Sequence, residues 1–88
     1  MNNQNQEEEE LREQISSLYN HLDEMYFKRI PTREELTEIA ILYHLFLKFH
    51  PQIDLDGTYQ LFIDIKNDEL GYAWNYLKNM IGGRLTSN

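Results

Sequence analysis

The sequence predicts a small all-α protein, a bundle of three or four helices with a strongly apolar helix at its centre. Apolar residues recur along most of the chain at the three- and four-residue spacing of helices. Prolines, a capping threonine and a glycine pair separate these stretches as helix boundaries. Since the chain has 88 residues, we expect one modest core. A single helical domain should span residues 7–81, with disordered polar tails at residues 1–6 and 82–88.

The first predicted helix extends from Glu7 to Arg29. Its apolar residues alternate at steps of four and three, the heptad spacing of a helix that packs on other helices. Ile30 and Pro31 end the element, because the residue before a proline disfavours the helical conformation. The apolar stripe consists of Leu11, Ile15, Leu18, Leu22 and Met25.

The second predicted helix begins at Thr32, and Glu35 follows three residues later in the pattern of a capping box. Apolar residues cover well over half of its circumference, which is typical of a central helix. Pro51 forces its end. The polar strip consists of Thr37, His44 and Lys48.

Residues 53–65 are compatible with two structures. Asp56-Gly57 between alternating apolar residues is a strong signal for a short β-hairpin. In the helical alternative, Asp56 is the N-cap residue. That helix would have Tyr59, Phe62, Ile63 and Lys66 on one face. We favour the helix, because a lone two-stranded ribbon is marginal in water and the chain offers no third strand.

The last predicted helix begins near Asn67 or Asp68 and ends at Ile81, before Gly82-Gly83. Its buried face, which two tyrosines extend sideways, contains Leu70, Ala73, Trp74, Leu77, Met80 and Ile81, with Tyr72 and Tyr76 beside them.

Composition and charge exclude several classes of function. Fifteen acidic residues against eight basic ones give a net charge of −7, which disfavours binding to nucleic acid and to anionic membranes. The longest apolar stretch, residues 39–49, is far shorter than the roughly 20 residues that span a bilayer. The absence of cysteine excludes disulfides and thiolate metal sites. We therefore expect a cytoplasmic protein.

No catalytic, cofactor or metal site is expected. Residues 54–57 resemble part of an EF-hand loop, but aligning Gly57 with position six places Gln52 at position one and Ile63 at position twelve. Two essential calcium ligands are therefore missing. The histidines lack the spacing of a zinc-binding pair, and no serine lies in a context that would activate it.

Tyrosine provides the strongest functional signal. The chain has six tyrosines, more than a core of this size needs, and tyrosine is favoured at protein interfaces. The alternative that they border the core with hydroxyls in water stays open. We predict a non-catalytic helical protein-interaction module, such as a regulator, inhibitor, adaptor or subunit, whose partner the sequence does not identify. The expected contact residues are Tyr72, Tyr76, Tyr19 and Tyr26.

Two further hypotheses concern the first helix. Its Leu11–Met25 stripe could pair with a second copy to form a homodimer. In the other hypothesis, the protein is an acidic decoy that mimics nucleic acid or blocks a basic site on its target. The residues of that acidic surface are Glu7, Glu8, Glu9, Glu10, Glu13, Asp23 and Glu24.

Overall fold

The computed structural model describes residues 3–50 and 55–82. Over these residues the chain forms four α-helices and no strand, so the predicted all-α bundle is confirmed. The helices are α1 (Asn3–Met25), α2 (Arg33–Leu47), α3 (Leu55–Lys66) and α4 (Leu70–Leu77), and α4 continues into a π-helical turn over Lys78–Gly82. None of the described helices is both long and apolar enough to cross a membrane.

The helices α1 and α2 form an antiparallel hairpin. Glu8, near the start of α1, contacts His50, just after the end of α2. At the other end, Tyr26 donates a hydrogen bond to Glu35 in the first turn of α2. The helix α2 also packs against α3 and α4, and the π-helical turn packs against α1. The apolar second helix is therefore central, as predicted.

The core lies between α2 and the other three helices. The helix α2 contributes more buried apolar side chains than any other element, which agrees with its nearly continuous apolar sequence. The buried apolar residues are Ile15, Tyr19, Leu22, Leu36, Ile39, Ala40, Tyr43, Phe46, Leu47, Leu61, Ile65, Ala73, Trp74, Leu77 and Ile81. The rings of Tyr19 and Trp74 lie 5.7 Å apart between centroids and join α1 to α4.

The ends of α1 differ from the prediction. The helix begins at Asn3, so residues 3–6 belong to it and not to the predicted tail. It ends at Met25, and Lys28 adopts a left-handed conformation with φ of 64°. The predicted end at Arg29 is wrong because the chain has already left the helix at this turn. Most of the second predicted tail, residues 83–88, lies outside the described residues, whereas Gly82 belongs to the π-helical turn.

The predicted capping box at the start of α2 is present. The Thr32 hydroxyl accepts a hydrogen bond from the Glu35 amide at 3.3 Å, and the Thr32 amide donates to the Glu35 carboxylate at 2.9 Å. In both bonds the donor is a backbone amide that would otherwise be unpaired at the start of the helix.

The predicted polar strip of α2 is only partly correct. Lys48 is exposed, but Thr37 and His44 are half-buried. The His44 ring lies 5.7 Å from the Phe62 ring of α3, in an edge-on arrangement. Since α3 covers this side of α2, the solvent-facing side differs from the predicted polar strip and includes the apolar residue Ile41.

The segment that follows is a helix, α3, so the hairpin alternative is wrong over the described residues 55–65. Its predicted cap is wrong, and the four residues that share the predicted face do not form the buried side. The buried side contains Thr58, Leu61 and Ile65, whereas Tyr59 and Ile63 are exposed. Both sides of this helix carry apolar residues, so its rotation depends on contact with α2 and α4 and not on its own periodicity. Asp56 lies inside the helix, which begins one residue earlier at Leu55. Among the residues compared with the EF-hand loop, Gln52 and Asp54 lie outside the described residues.

The helix α4 begins at Leu70, later than predicted, because Asp68 adopts a left-handed conformation with φ of 64°. The Arg33 guanidinium donates to the Asp68 carboxylate at 2.9 Å and connects this turn to the start of α2. The predicted buried face is otherwise correct, with Ala73, Trp74, Leu77 and Ile81 buried and Leu70 and Met80 partly buried.

Candidate functional site: a groove between α1 and α2

The four tyrosines proposed as contact residues do not form one surface. Tyr72 is 68% exposed at the start of α4, whereas Tyr76 is half-buried against the core. Tyr19 is buried beside Trp74, and burial raises its pKa, with a further contribution from the Asp23 charge. Of the four, Tyr72 is the residue most available for a partner.

Tyr26 has a structural role at the junction of α1 and α2. Its hydrogen bond to Glu35 raises the pKa of the Tyr26 hydroxyl, because the bond requires the protonated phenol. The guanidinium of Arg29 lies 5.7 Å from the centre of its ring. These contacts occupy both the hydroxyl and one ring face of this tyrosine.

The apolar stripe of α1 packs mainly inside the protein. Ile15 and Leu22 are buried, Leu11 and Leu18 are partly buried, and Met25 is 45% exposed at the end of the helix. A second copy could therefore reach only the edges and ends of this stripe. The homodimer through the stripe stays a prediction, but its central contacts are already made within one chain.

A groove remains open between the first half of α1 and the last turns of α2. It has a volume of about 340 Å³. Its apolar residues are Leu11, Leu45 and Phe49, and its polar rim contains Glu7, Glu10, Gln14 and Lys48. We call this set of residues the α1/α2 groove.

The accessible apolar surface extends beyond the groove along α2. Leu45 is 37% exposed, and Ile41, which is 47% exposed, lies one turn earlier on the same side. The groove and Ile41 thus form an apolar strip about two helical turns long on the α2 side, from Ile41 to Phe49.

The rim of the groove has an uneven charge distribution. Glu7 and Glu10 are exposed on the α1 side, and Lys48 is exposed on the α2 side. Glu8 belongs to the same acidic run but faces the hairpin, where it contacts His50 and lies 3.9 Å from Arg12. The run is therefore divided, with one acid used in packing and two available at the groove.

The remaining residues of the acidic-decoy hypothesis are exposed along α1. They lie on one side of α1, within about 100° of one another, because their spacings of 4, 10 and 1 residues place them close together around a helix of 3.6 residues per turn. These exposed acids are Glu9, Glu13, Asp23 and Glu24.

A second apolar surface lies at the α1–α2 turn. Phe27 is 72% exposed there, and Lys28 Nζ lies 5.4 Å from the centre of its ring. Ile30 is also exposed and lies beside Gly71, next to Tyr72 in sequence. We call Phe27, Ile30 and Tyr72 the turn surface.

No three histidine, aspartate or glutamate side chains within residues 3–50 and 55–82 are grouped closely enough to hold a metal ion. The α1/α2 groove presents carboxylates, one amide and one ammonium group around apolar side chains. This chemistry suits recognition of an apolar segment with charged flanks.

The groove was not predicted from the sequence, because apolar residues cover most of the circumference of α2 and Leu45 and Ile41 do not stand out among them. The sequence does contain a signal for this surface. Along one side of α2, Ile41 and Leu45 occur among polar residues at alternating steps of four and three. The residues of that exposed side are Glu34, Glu38, Ile41, Leu45 and Lys48.

Fold and site together define a small all-α bundle with an accessible apolar groove. Comparisons with protein-family models, with curated proteins and with solved structures gave no match for this chain.

Proposed function

We propose that the protein is a non-catalytic protein-interaction module and that it binds another protein through the α1/α2 groove. The observation that carries this proposal is the accessible apolar floor formed by Leu11, Leu45 and Phe49. Apolar side chains at the centre of a recess, surrounded by polar groups, are typical of the residues that contribute most to protein binding. Covering them removes apolar surface from water, which favours association.

The groove is favoured over the turn surface because it is concave. A side chain of a partner that enters it would contact α1 on one side and α2 on the other, which permits close packing. Phe27 and Tyr72 of the turn surface are more exposed, so this surface is the second candidate for the same function.

A binding role is also favoured over catalysis by the residues of the groove. Nucleophilic catalysis needs a nucleophile next to a base that activates it. The described lining residues include no serine, threonine or histidine, and the Glu7 and Glu10 side chains that line it are exposed to solvent.

Site-specific photo-crosslinking in cells of the source organism tests this proposal. A photoreactive amino acid at position 45 should crosslink a defined partner, whereas the same group at position 63 should not. Ile63 is a suitable control because it is apolar, 49% exposed and located on α3. Equal crosslinking from both positions, or none from position 45, would contradict binding through the groove.

The acidic decoy is retained as a second candidate function. The observation in its favour is that α1 begins at Asn3, which places Glu9 and Glu13 on a formed helix and not in a tail. A decoy should lose affinity steeply as ionic strength rises, because exposed charges are screened. A groove that binds mainly through apolar contact should lose little affinity between low and high salt.

A further inference from the structure

We infer that the segment bound in the α1/α2 groove is an amphipathic α-helix with basic residues on its flank facing α1 and an acidic residue facing Lys48. This inference rests on the proposed function, since it specifies the partner of the same groove.

The backbone of the groove walls favours a helical partner. Both walls are α-helices, over Asn3–Met25 and Arg33–Leu47, so most of their amide and carbonyl groups are paired within each helix. An extended segment would find no strand edge here to pair with. Its own amides and carbonyls would therefore be buried without hydrogen-bond partners. A helix satisfies these groups internally and buries only its side chains.

The arrangement of the apolar residues also fits a helix. Leu45 and Ile41 are separated by one helical turn on α2, and Leu11 lines the groove together with Leu45. A partner helix repeats its apolar side chains at three and four residues and so contacts such a strip on every turn. The helices α3 and α4 pack against α2, and the π-helical turn packs against α1, so the partner would cover a part of α1 and α2 that no described element covers.

Charge at the rim specifies the flanks of this helix. Glu7 and Glu10 on the α1 side should face lysine or arginine, and Lys48 on the α2 side should face an acidic residue. Because all three side chains are exposed, these pairs add little affinity by themselves. They mainly determine which orientation of the helix is accepted.

Binding of designed peptides tests the inference. The probe is a peptide of about 18 residues, roughly 27 Å long as a helix, with leucines at steps of three and four, lysines on one flank and glutamates on the other. The control peptides are a scrambled peptide of the same composition and a variant of the probe with a central proline. Fluorescence anisotropy with the full chain should give at least about tenfold tighter binding of the probe than of either control.

Matched variants of the protein locate the binding site. Leu45→Glu should weaken probe binding at least about tenfold, whereas Ile63→Glu on α3 should leave it unchanged. Circular dichroism serves to check that both variants are folded. Glu7→Lys and Glu10→Lys together make all three rim charges positive, so they should transfer the preference to a peptide with glutamates on both flanks.

The outcomes separate the inference from the proposed function. Equal binding of the proline peptide, or an unchanged peptide preference after Glu7→Lys and Glu10→Lys, would overturn the inference while crosslinking at position 45 could still support the groove. Failure of every peptide to bind would also overturn it. A concentration-dependent increase in mass that Leu45→Glu abolishes would identify a second copy as the occupant, which would overturn the inference too. Tight binding of the scrambled peptide at low salt alone would favour the decoy.

Discussion

At the scale of single residues, Glu35 joins a local signal to a tertiary contact. Its carboxylate accepts a hydrogen bond from the Thr32 amide at 2.9 Å, which the capping-box pattern predicts. It also accepts a hydrogen bond from the Tyr26 hydroxyl of the preceding segment, which no pattern indicated. The Tyr26 bond, followed by the Thr32 amide bond, lowers the pKa of Glu35 below its ordinary value of 4.5.

This pKa shift makes the stability of the protein sensitive to acid. A carboxyl group with a lower pKa in the folded state stabilises that state fully above its ordinary pKa of 4.5. The contribution is lost as the pH falls through the lower pKa of the folded protein. We therefore expect Glu35→Gln to reduce the free energy of unfolding at neutral pH and to weaken the decline of that free energy as the pH falls below 4.5.

Urea unfolding at a series of pH values measures this effect. Glu34→Gln is the matched control, because Glu34 lies one residue earlier in the same helix turn and is exposed. The control should retain the acid dependence of the unsubstituted protein. Identical pH profiles for the two variants would show that the Glu35 hydrogen bonds do not contribute to it.

At the scale of elements, the two ends of the last helix differ in the space available around glycine. A Cβ atom at Gly71 would lie 3.6 Å from the Ile30 side chain, an ordinary contact. A Cβ atom at Gly82 would lie 2.7 Å from the Tyr19 hydroxyl oxygen and 3.2 Å from Tyr19 Cζ. Tyr19 has little freedom to move, since its ring is buried beside Trp74.

Alanine at these two glycines should have opposite effects on stability. Gly71→Ala should raise the free energy of unfolding by about 0.5–1 kcal/mol, because alanine favours the helix. Gly82→Ala should lower it by about 1–3 kcal/mol through overpacking against Tyr19. Thermal unfolding followed by circular dichroism gives both values.

A second substitution identifies the cause of the Gly82 effect. Tyr19→Phe removes the hydroxyl oxygen that the new methyl group meets, so it should make Gly82→Ala less costly than it is with tyrosine present. If the two substitutions are additive, contact with the Tyr19 hydroxyl is not the reason for the loss.

At the scale of the whole molecule, the apolar stripe of α1 distinguishes folding from self-association. Leu22 is buried within one chain, whereas Met25 of the same stripe is 45% exposed. In Leu22→Asp the new carboxylate would be buried in the core, which would strongly reduce the free energy of unfolding. In Met25→Asp the new carboxylate would remain in contact with water.

We therefore expect Leu22→Asp to lose most of its helical circular dichroism and Met25→Asp to keep it. The loss should be independent of protein concentration, since the contacts of Leu22 are made within one chain. Light scattering across a concentration series provides the second measurement. If both variants stay folded and only reduce the mass of an oligomer, the stripe is an interface between copies.

The sequence by itself determined the fold class, the central position of α2 and its capping box. These follow from local physics, since an apolar helix must be buried on most sides and Thr32 and Glu35 satisfy groups within one turn. It also determined the buried face of α4, whose apolar residues lie on one side. Periodicity is sufficient wherever a helix has one distinctly apolar side.

Only the tertiary structure decided the rotation of α3, the solvent-facing side of α2 and the groove. In these helices apolar residues occur on several sides, so the side that is buried depends on which neighbour packs against it. His44 is partly covered because Phe62 lies against it, and Leu45 is left accessible because no described helix covers it. A functional surface of this kind consists of apolar residues that the fold leaves uncovered, and it becomes identifiable once the packing of every helix is known.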